Sequence, residues 1–349
     1  MSRAVFAIPG DMHRRTGGFI YEARLLRTLN QIGVPTAHLE LPAGFPDPTD
    51  AEMEATFAAL AAVPADTPVI LDGFVSGTID PRGLARISAP LIAMVHHPLG
   101  LEAGLPPERA AFLKRNEAAA LRHFAHILVP SAETARLLAD EFGADPARIT
   151  VAPPGFDRPV LDPRPAEPPL ILSVGLLAPR KGHDVLIEAL SRLTDIPWQA
   201  EIVGKAHERS TAEDLRHQVA ARDLVGRVRF SGELDDNALA ARFNAATIFA
   251  LATRYEGYGM VLSEAMLYGL PIVSCDTGAV PGTVGDAAHL VPRDDPDAFA
   301  DALRTLLEVP SEAERLAARA RSRAAMLPSW TDTARIAARA ISSLGPGLP

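Results

Sequence analysis

The stretch "RYEGYGMVLSEAMLYGLPIV" (254–273) decides the fold. It follows "TIFALAT" (247–253), which is apolar and β-prone. Gly257 and Gly259 are poor interior helix residues, so the next helix should begin near Met260. "LPIVSC" (270–275) then reads as another buried strand. Strand, glycine-bearing loop, helix and strand in that order make one step of a parallel, doubly wound sheet. The free N–H groups of Met260, Val261 and Leu262 would form a cup for an anion, and the glycines would let it approach the backbone. Glu264 falls one turn inside the helix, and Glu256 stays on the loop. A nucleoside diphosphate carrying a sugar at each end would satisfy all these features. An acidic helix start favoured by the macrodipole accounts for one glutamate, but not for Gly-x-Gly and a second.

The same alternation runs outward in both directions. Upstream, strands are expected at "AVFAI", "PTAHLEL", "PVILDGF", "LIAMVHH", "HILVP" and "RITVAPPG". Helices are expected at "GGFIYEARLLRTLNQIG", "AEMEATFAALAAV", "PERAAFLKRNEAAALRHFA" and "SAETARLLADEFG". Gly33 suits a helix C-cap and Ser131 an N-cap. The proline-rich run "RPVLDPRPAEPP" (158–169) holds few core residues and reads as a linker. The alternation restarts at "LILSVG" (170–175) and ends in a helical tail, "SWTDTARIAARAISSL" (329–344). The expectation is an α/β chain with a first Rossmann-like domain over 1–160, a linker over 161–168, a second domain over 169–328 and a terminal helix over 329–345.

Bulk properties narrow the function classes. A chain of 349 residues exceeds one ordinary core. A formal net charge of −9, with no concentrated basic face, argues against nucleic acid as the main partner. Any phosphate must therefore be held locally. The single cysteine, Cys275, excludes an internal disulfide and a cysteine zinc site, and it sits in an apparent buried strand. No run reaches the ~18 apolar residues of a membrane span, and the N-terminus lacks the apolar length of a signal peptide. A soluble cytoplasmic protein, at most peripheral on a membrane, is expected.

Ligands of open α/β sheets bind outside the carboxyl ends of the strands. The loop "LLAPRKGHD" (176–184) places Arg180 and Lys181 at such an end, where two cations could neutralise a diphosphate. It is not a Walker A loop, which needs Gly-Lys-Ser/Thr. Gly17 and Gly18 open a helix after the first strand, which suggests close approach of a ligand without a dinucleotide fingerprint. "VHHPLG" presents His96 and His97 at a strand end, with no further ligands at metal-binding spacing. "DDPD" (294–297) precedes a helix and reads as an N-cap. Asp72, in "DGFVSG", is a candidate acceptor contact.

Taken together, these residues resemble the retaining glycosyltransferases of GT-B architecture, family four. The resemblance rests on Glu256-x7-Glu264 followed by "AMLYGLPIV", on "SVGLLAPRKGHDVLIEAL", on "APPGFD" (152–157), on Gly17-Gly18 and on the terminal helix. It implies two Rossmann-like domains with an inter-domain cleft and a terminal helix that crosses back to the first domain. It implies a sugar-nucleotide donor with UDP or GDP, and a sugar, lipid-linked or small-molecule acceptor hydroxyl. Transfer would proceed with retention and without metal or other cofactor. By the same resemblance Glu264 would hold the ribose and Glu256 the donor sugar. Arg180, Lys181 and the backbone from Gly257 and Gly259 to Leu262 would hold the diphosphate, and His96 would reach the donor sugar. One position departs from the family: Leu176 stands where an arginine is common, and Arg180 is the candidate to replace it. A GT-B sugar-nucleotide epimerase and a non-catalytic sugar-nucleotide binder are the alternatives.

Overall fold

The computed structural model describes residues 4–206 and 209–344. The chain forms two compact units, one running to Phe156 and resuming at Pro328, the other Asp157–Leu327.

In the first unit, β1 (Ala4–Pro9), β2 (Thr36–Leu41), β3 (Val69–Leu71), β4 (Leu91–Met94), β5 (His126–Val129) and β6 (Ile149–Val151) form one parallel sheet. Its spatial order is β2-β1-β3-β4-β5-β6. The connections carry α1 (Gly17–Gln31), α2 (Asp50–Ala61), α3 (Gly73–Thr78), α4 (Pro81–Leu84), α5 (Pro107–Leu121) and α6 (Ala132–Phe142). Crossover helices cover both faces of such a sheet, so its inner strands read as apolar runs; β3 and β4 are buried at every residue. Local chemistry sets the helix ends. Thr49 and Glu52 make a reciprocal capping box on α2. Ser131 accepts the Thr134 N–H and starts α6, and Gly143, at φ +65°, ends it. Gly33 follows the α1 C-cap at φ +82°.

The second unit repeats the plan. Strands β7 (Leu170–Val174), β8 (Gln199–Val203), β9 (Val228–Gly232), β10 (Ile248–Leu251), β11 (Ile272–Cys275) and β12 (Ala288–Val291) form a parallel sheet in the order β12-β11-β10-β7-β8-β9. Its helices are α7 (His183–Leu190), α8 (Arg209–Ala221), α9 (Asp236–Ala245), α10 (Met260–Leu267), α11 (Val280–Val284), α12 (Pro296–Glu308) and α13 (Pro310–Ala325). Cys275 is buried in β11. The last helix, α14 (Trp330–Leu344), packs against α1 in the first unit, with the Trp330 and Tyr21 rings edge-on at 5.6 Å. "APPGFD" explains itself here. A Cβ at Gly155 would lie 2.2 Å from the Trp330 nitrogen, so only glycine lets the returning segment pass.

One expectation is revised. The proline-rich segment 161–168 runs with the second unit: Arg164 and Ala166 donate backbone bonds to Asn244 and Ala245, and Asp162 donates to the Asn244 side chain. Its prolines cannot donate, but the amides between them find acceptors on α9, so the units divide at Phe156/Asp157 instead. The run after 296 forms α12 and α13, separated where Val309 adopts φ −117° before Pro310. Finally, α3, α4, α11 and β12 are too short to show periodicity and went unread. The expected tail to residue 345 passes one residue beyond the described chain.

Candidate active site

Each sheet changes winding direction once, between β1 and β3 in the first unit and between β7 and β10 in the second. A crevice opens at the carboxyl ends of strands that flank such a reversal. Both groups of chemically active side chains lie at these points, each within its own unit.

In the second unit the loops after β7 and β10 meet. Pro179–Lys181 is one 3-10 turn, closed by Gly182 at φ +64°. A Cβ at Gly182 would sit 1.8 Å from the Ala252 carbonyl oxygen, so the two loops can touch only with glycine there. The contact is continued by backbone, Arg254 N–H donating to Arg180 O at 2.8 Å. It brings Lys181 Nζ to 2.6 Å from Glu256 Oε1, and Arg180 to 3.4 Å from the same oxygen. Arg180 also donates to Tyr255 O at 2.9 Å. The Thr253 hydroxyl lies 3.0 Å from Glu256 Oε1, where its one proton can serve that carboxylate. Burial pushes the Glu256 carboxyl up, but the charges of Lys181 and Arg180 outweigh it and hold the group below the ordinary glutamate range. Glu256 is therefore an ionised, 5% exposed carboxylate beside two cations.

Immediately past it, Gly259 takes φ +85° and starts α10 without a side-chain cap. A helix N-terminus in this state presents donors to an anion. The expected cup is narrower by one group, because Leu262 N–H bonds back to Gly259 O at 2.9 Å and its side chain is core. Met260 and Val261 supply the remaining first-turn donors. Gly257 lies on the preceding loop. Glu264, half-buried one turn inside, is lifted to about 7 by burial and by the negative charge of Asp236.

Arg254 escaped the sequence reading. It forks onto both oxygens of Asp184 at 3.0 and 2.7 Å, reaches Asp294 at 2.6 Å and donates to the Pro179 carbonyl. It thus clamps the turn that carries Arg180 and Lys181. Nothing distinguishes it from an exposed loop arginine until the loops are brought together. "DDPD" divides its work: Asp295 caps α12 through the Ala298 N–H, and Asp294 holds Arg254.

In the first unit, His96 follows β4 and packs on the first turn of α1. A Cβ at Gly18 would lie 3.2 Å from His96 Cδ2, whereas Gly17 faces open space. His96 Nε2 is 3.1 Å from Glu22 Oε1 on α1. Burial lowers the His96 pKa to about 4, so the ring is neutral at pH 7. Asp72 is not an open acceptor contact. It is 4% exposed and caps α3 through the N–H groups of Phe74 and Val75. His97 turns instead to Glu102, at 3.3 Å. Among the described residues no three His, Cys, Asp or Glu side chains gather as a metal would require. No described helix is long and apolar enough to cross a membrane.

Comparison with known proteins finds glycosyltransferases. Residues 162–323 match the family model described as glycosyl transferases group 1, and residues 74–158 that of glycosyltransferase family 4. An MMP alpha-(1->4)-mannosyltransferase of Mycolicibacterium hassiacum is 28% identical over 84% of this chain and 74% of its own. A D-inositol 3-phosphate glycosyltransferase of Kineococcus radiotolerans is 32% identical over 54% of this chain, and the match spans half of that relative. Among solved structures, sucrose-phosphate synthase of Thermosynechococcus elongatus superposes with a TM-score of 0.82 at 22% identity, over 97% of this chain and 98% of that one. That likeness shows a shared fold of the GT-B type.

Proposed function

The chain belongs to glycosyltransferase family 4, of the group 1 transferases, and on that premise we propose that it moves a sugar from a nucleoside-diphosphate sugar to an acceptor hydroxyl, with retention of configuration. The observation that carries the reading is the Lys181–Glu256–Arg180 cluster beside the uncapped N-terminus of α10. Lys181, Arg180 and the N–H groups of Met260 and Val261 receive the diphosphate. Glu256 accepts hydrogen bonds from the donor sugar's hydroxyls, and Glu264 accepts from the ribose.

Charge drives the step. As the bond between the anomeric carbon and the diphosphate oxygen breaks, negative charge grows on that oxygen. Preorganised cations and helix donors are strongest against charge that develops in a buried site, and removing one typically costs about 10²–10³ in rate. The acceptor oxygen then bonds to the anomeric carbon on the face the diphosphate leaves. Its proton passes to the departing phosphate oxygen, so no protein nucleophile is needed. The cationic pair performs the neutralisation that a divalent ion performs elsewhere. His96 is the first unit's group that meets substrate. UDP and GDP sugars are the donors proposed, and a cytoplasmic setting that of the donor pool.

Hydrolysis or transfer should be measured with a panel of UDP-, GDP- and ADP-sugars on the wild type and on Lys181→Ala, Glu256→Ala and Glu264→Ala. One donor should turn over, and each variant should lose that turnover. Undiminished rates in all three variants would show that this cluster is not the donor site.

A further inference from the structure

We infer that Thr277 and Thr283 are positioning residues. From the β11–α11 connection they hold the backbone of the Glu256 loop, and through it the first turn of α10 and the clamp on Arg180 and Lys181. The inference rests on the reading that this loop receives the diphosphate.

Residues 254–259 belong to no helix or strand and include Gly257 and Gly259, so the loop has no ladder of its own to fix it. Its carbonyls are held from outside instead. The Thr277 hydroxyl donates to Arg254 O at 2.8 Å, the Ala279 N–H to Glu256 O at 2.8 Å and the Thr283 hydroxyl to Tyr258 O at 2.5 Å. One segment, 277–283, thereby engages alternate carbonyls of the loop, while Arg180 takes the intervening Tyr255 O. Gly278, at φ +51°, lets the two backbones meet, because a Cβ there would lie 2.5 Å from Glu256 O. The segment is itself anchored. Arg323 on α13 donates through Nε to Thr283 O at 3.1 Å and through Nη2 to Gly282 O.

Each hydroxyl spends its one proton on the loop backbone, so its effect on a ligand passes through that loop. What the two fix differs. Tyr258 O lies one residue before Gly259, whose φ of +85° starts α10 and aims the N–H groups of Met260 and Val261. Arg254 O opens the loop, and the Arg254 side chain clamps the turn of Arg180 and Lys181 through Asp184 and Pro179 O. Thr283 therefore serves the helix donors and Thr277 the cations. Both act on phosphate and neither on the base.

The test replaces each threonine by valine, which keeps the shape without the hydroxyl, and by serine, which keeps the hydroxyl. UDP, GDP and ADP are titrated into the full chains by calorimetry, and uridine, guanosine and adenosine are followed by ligand-observed NMR. Amide exchange at Ala279 is measured without ligand. Thr283→Val and Thr277→Val should each bind the preferred nucleoside diphosphate about tenfold more weakly, as a buried carbonyl left without its donor implies, with the matching nucleoside nearly unaffected. Exchange at Ala279 should quicken about tenfold in both. Thr283→Ser and Thr277→Ser should restore affinity and protection. Undiminished diphosphate affinity in the valine variants, an equal loss in the serine variants, or an equal loss for the nucleoside would overturn the inference. An unprotected Ala279 amide in the wild type would overturn it without any variant. If no nucleoside diphosphate binds the wild type, the donor reading falls, while exchange at Ala279 still decides whether the two threonines hold the loop.

Discussion

Both units bury a glutamate at the winding reversal of a parallel sheet, yet the two carboxyls are driven in opposite directions. In the first unit Glu22 meets a second carboxyl, a neutral imidazole and the more distant Arg14, and burial lifts it above the ordinary range. In the second, Glu256 is equally enclosed, but two cations reach one of its oxygens and pull it below that range. Desolvation alone raises a carboxyl. The difference therefore lies in what stands within about 4 Å, and it assigns different work. A carboxylate held ionised among cations suits accepting hydrogen bonds from sugar hydroxyls, while the cations suit phosphate. A carboxyl lifted by burial beside a second carboxyl is more readily held in its neutral form. Glu264 shows the contrast within one unit: it lies eight residues beyond Glu256, and burial, then the charge of Asp236, lift it to about 7.

The comparison breaks most readily at Lys181. Lys181→Met should lower transfer by about 10²–10³ through loss of leaving-group stabilisation. It should also destabilise the fold by up to about 3 kcal/mol, since Glu256 keeps a buried charge with only Arg180 near it. Adding Glu256→Gln should recover the thermal stability but not the rate. A Lys181→Met chain with unchanged melting and unchanged rate would mean the pair is incidental.

A smaller effect is expected at Arg254. Arg254→Lys keeps the charge but cannot fork onto Asp184 while also reaching Asp294 and the Pro179 carbonyl. The turn bearing Arg180 and Lys181 should loosen, and nucleoside-diphosphate affinity should fall about tenfold by calorimetry. Equal affinity in the lysine variant would show that position 254 needs only a charge.

Smallest is the effect of pH through Glu264. Only its ionised form accepts hydrogen bonds from ribose hydroxyls at both oxygens. With its pKa at about 7, the ionised fraction falls as pH drops from 8 to 6, so affinity should weaken several-fold over that range. Asp236→Asn removes a raising charge and should move the midpoint lower. A midpoint that stays fixed would assign the titration to another group.

The second unit's half of this comparison was readable in the sequence, and the first unit's was not. Glu256 and Glu264 lie on one loop-and-helix segment and Arg180 and Lys181 on another, each marked by glycines at a strand exit, so each group was legible by itself; the 75 positions between Lys181 and Glu256 are closed only by the fold. Gly182 and Gly278 belong to the same logic. A Cβ at either would collide with a facing carbonyl, at Ala252 and Glu256 respectively. Arg254 and Asp184 are 70 positions apart, and no local pattern pairs them. Glu22 looked like an ordinary polar helix residue within "GGFIYEARLL", because its burial depends on where β3 and β4 fall. The alternation of strands and helices was legible throughout, since periodicity is local. The boundary between units was misjudged because proline content marks where a chain cannot donate. It does not mark where the neighbouring amides find acceptors.

The most direct measurement is calorimetric titration of UDP, GDP and ADP into the full chain and into Lys181→Met, with circular dichroism confirming that both are folded. At least one nucleoside diphosphate should bind the wild type, and Lys181→Met should bind it at least about tenfold more weakly. If no nucleoside diphosphate binds the wild type, or if folded Lys181→Met binds as tightly, then the Lys181–Glu256–Arg180 cluster does not hold the donor.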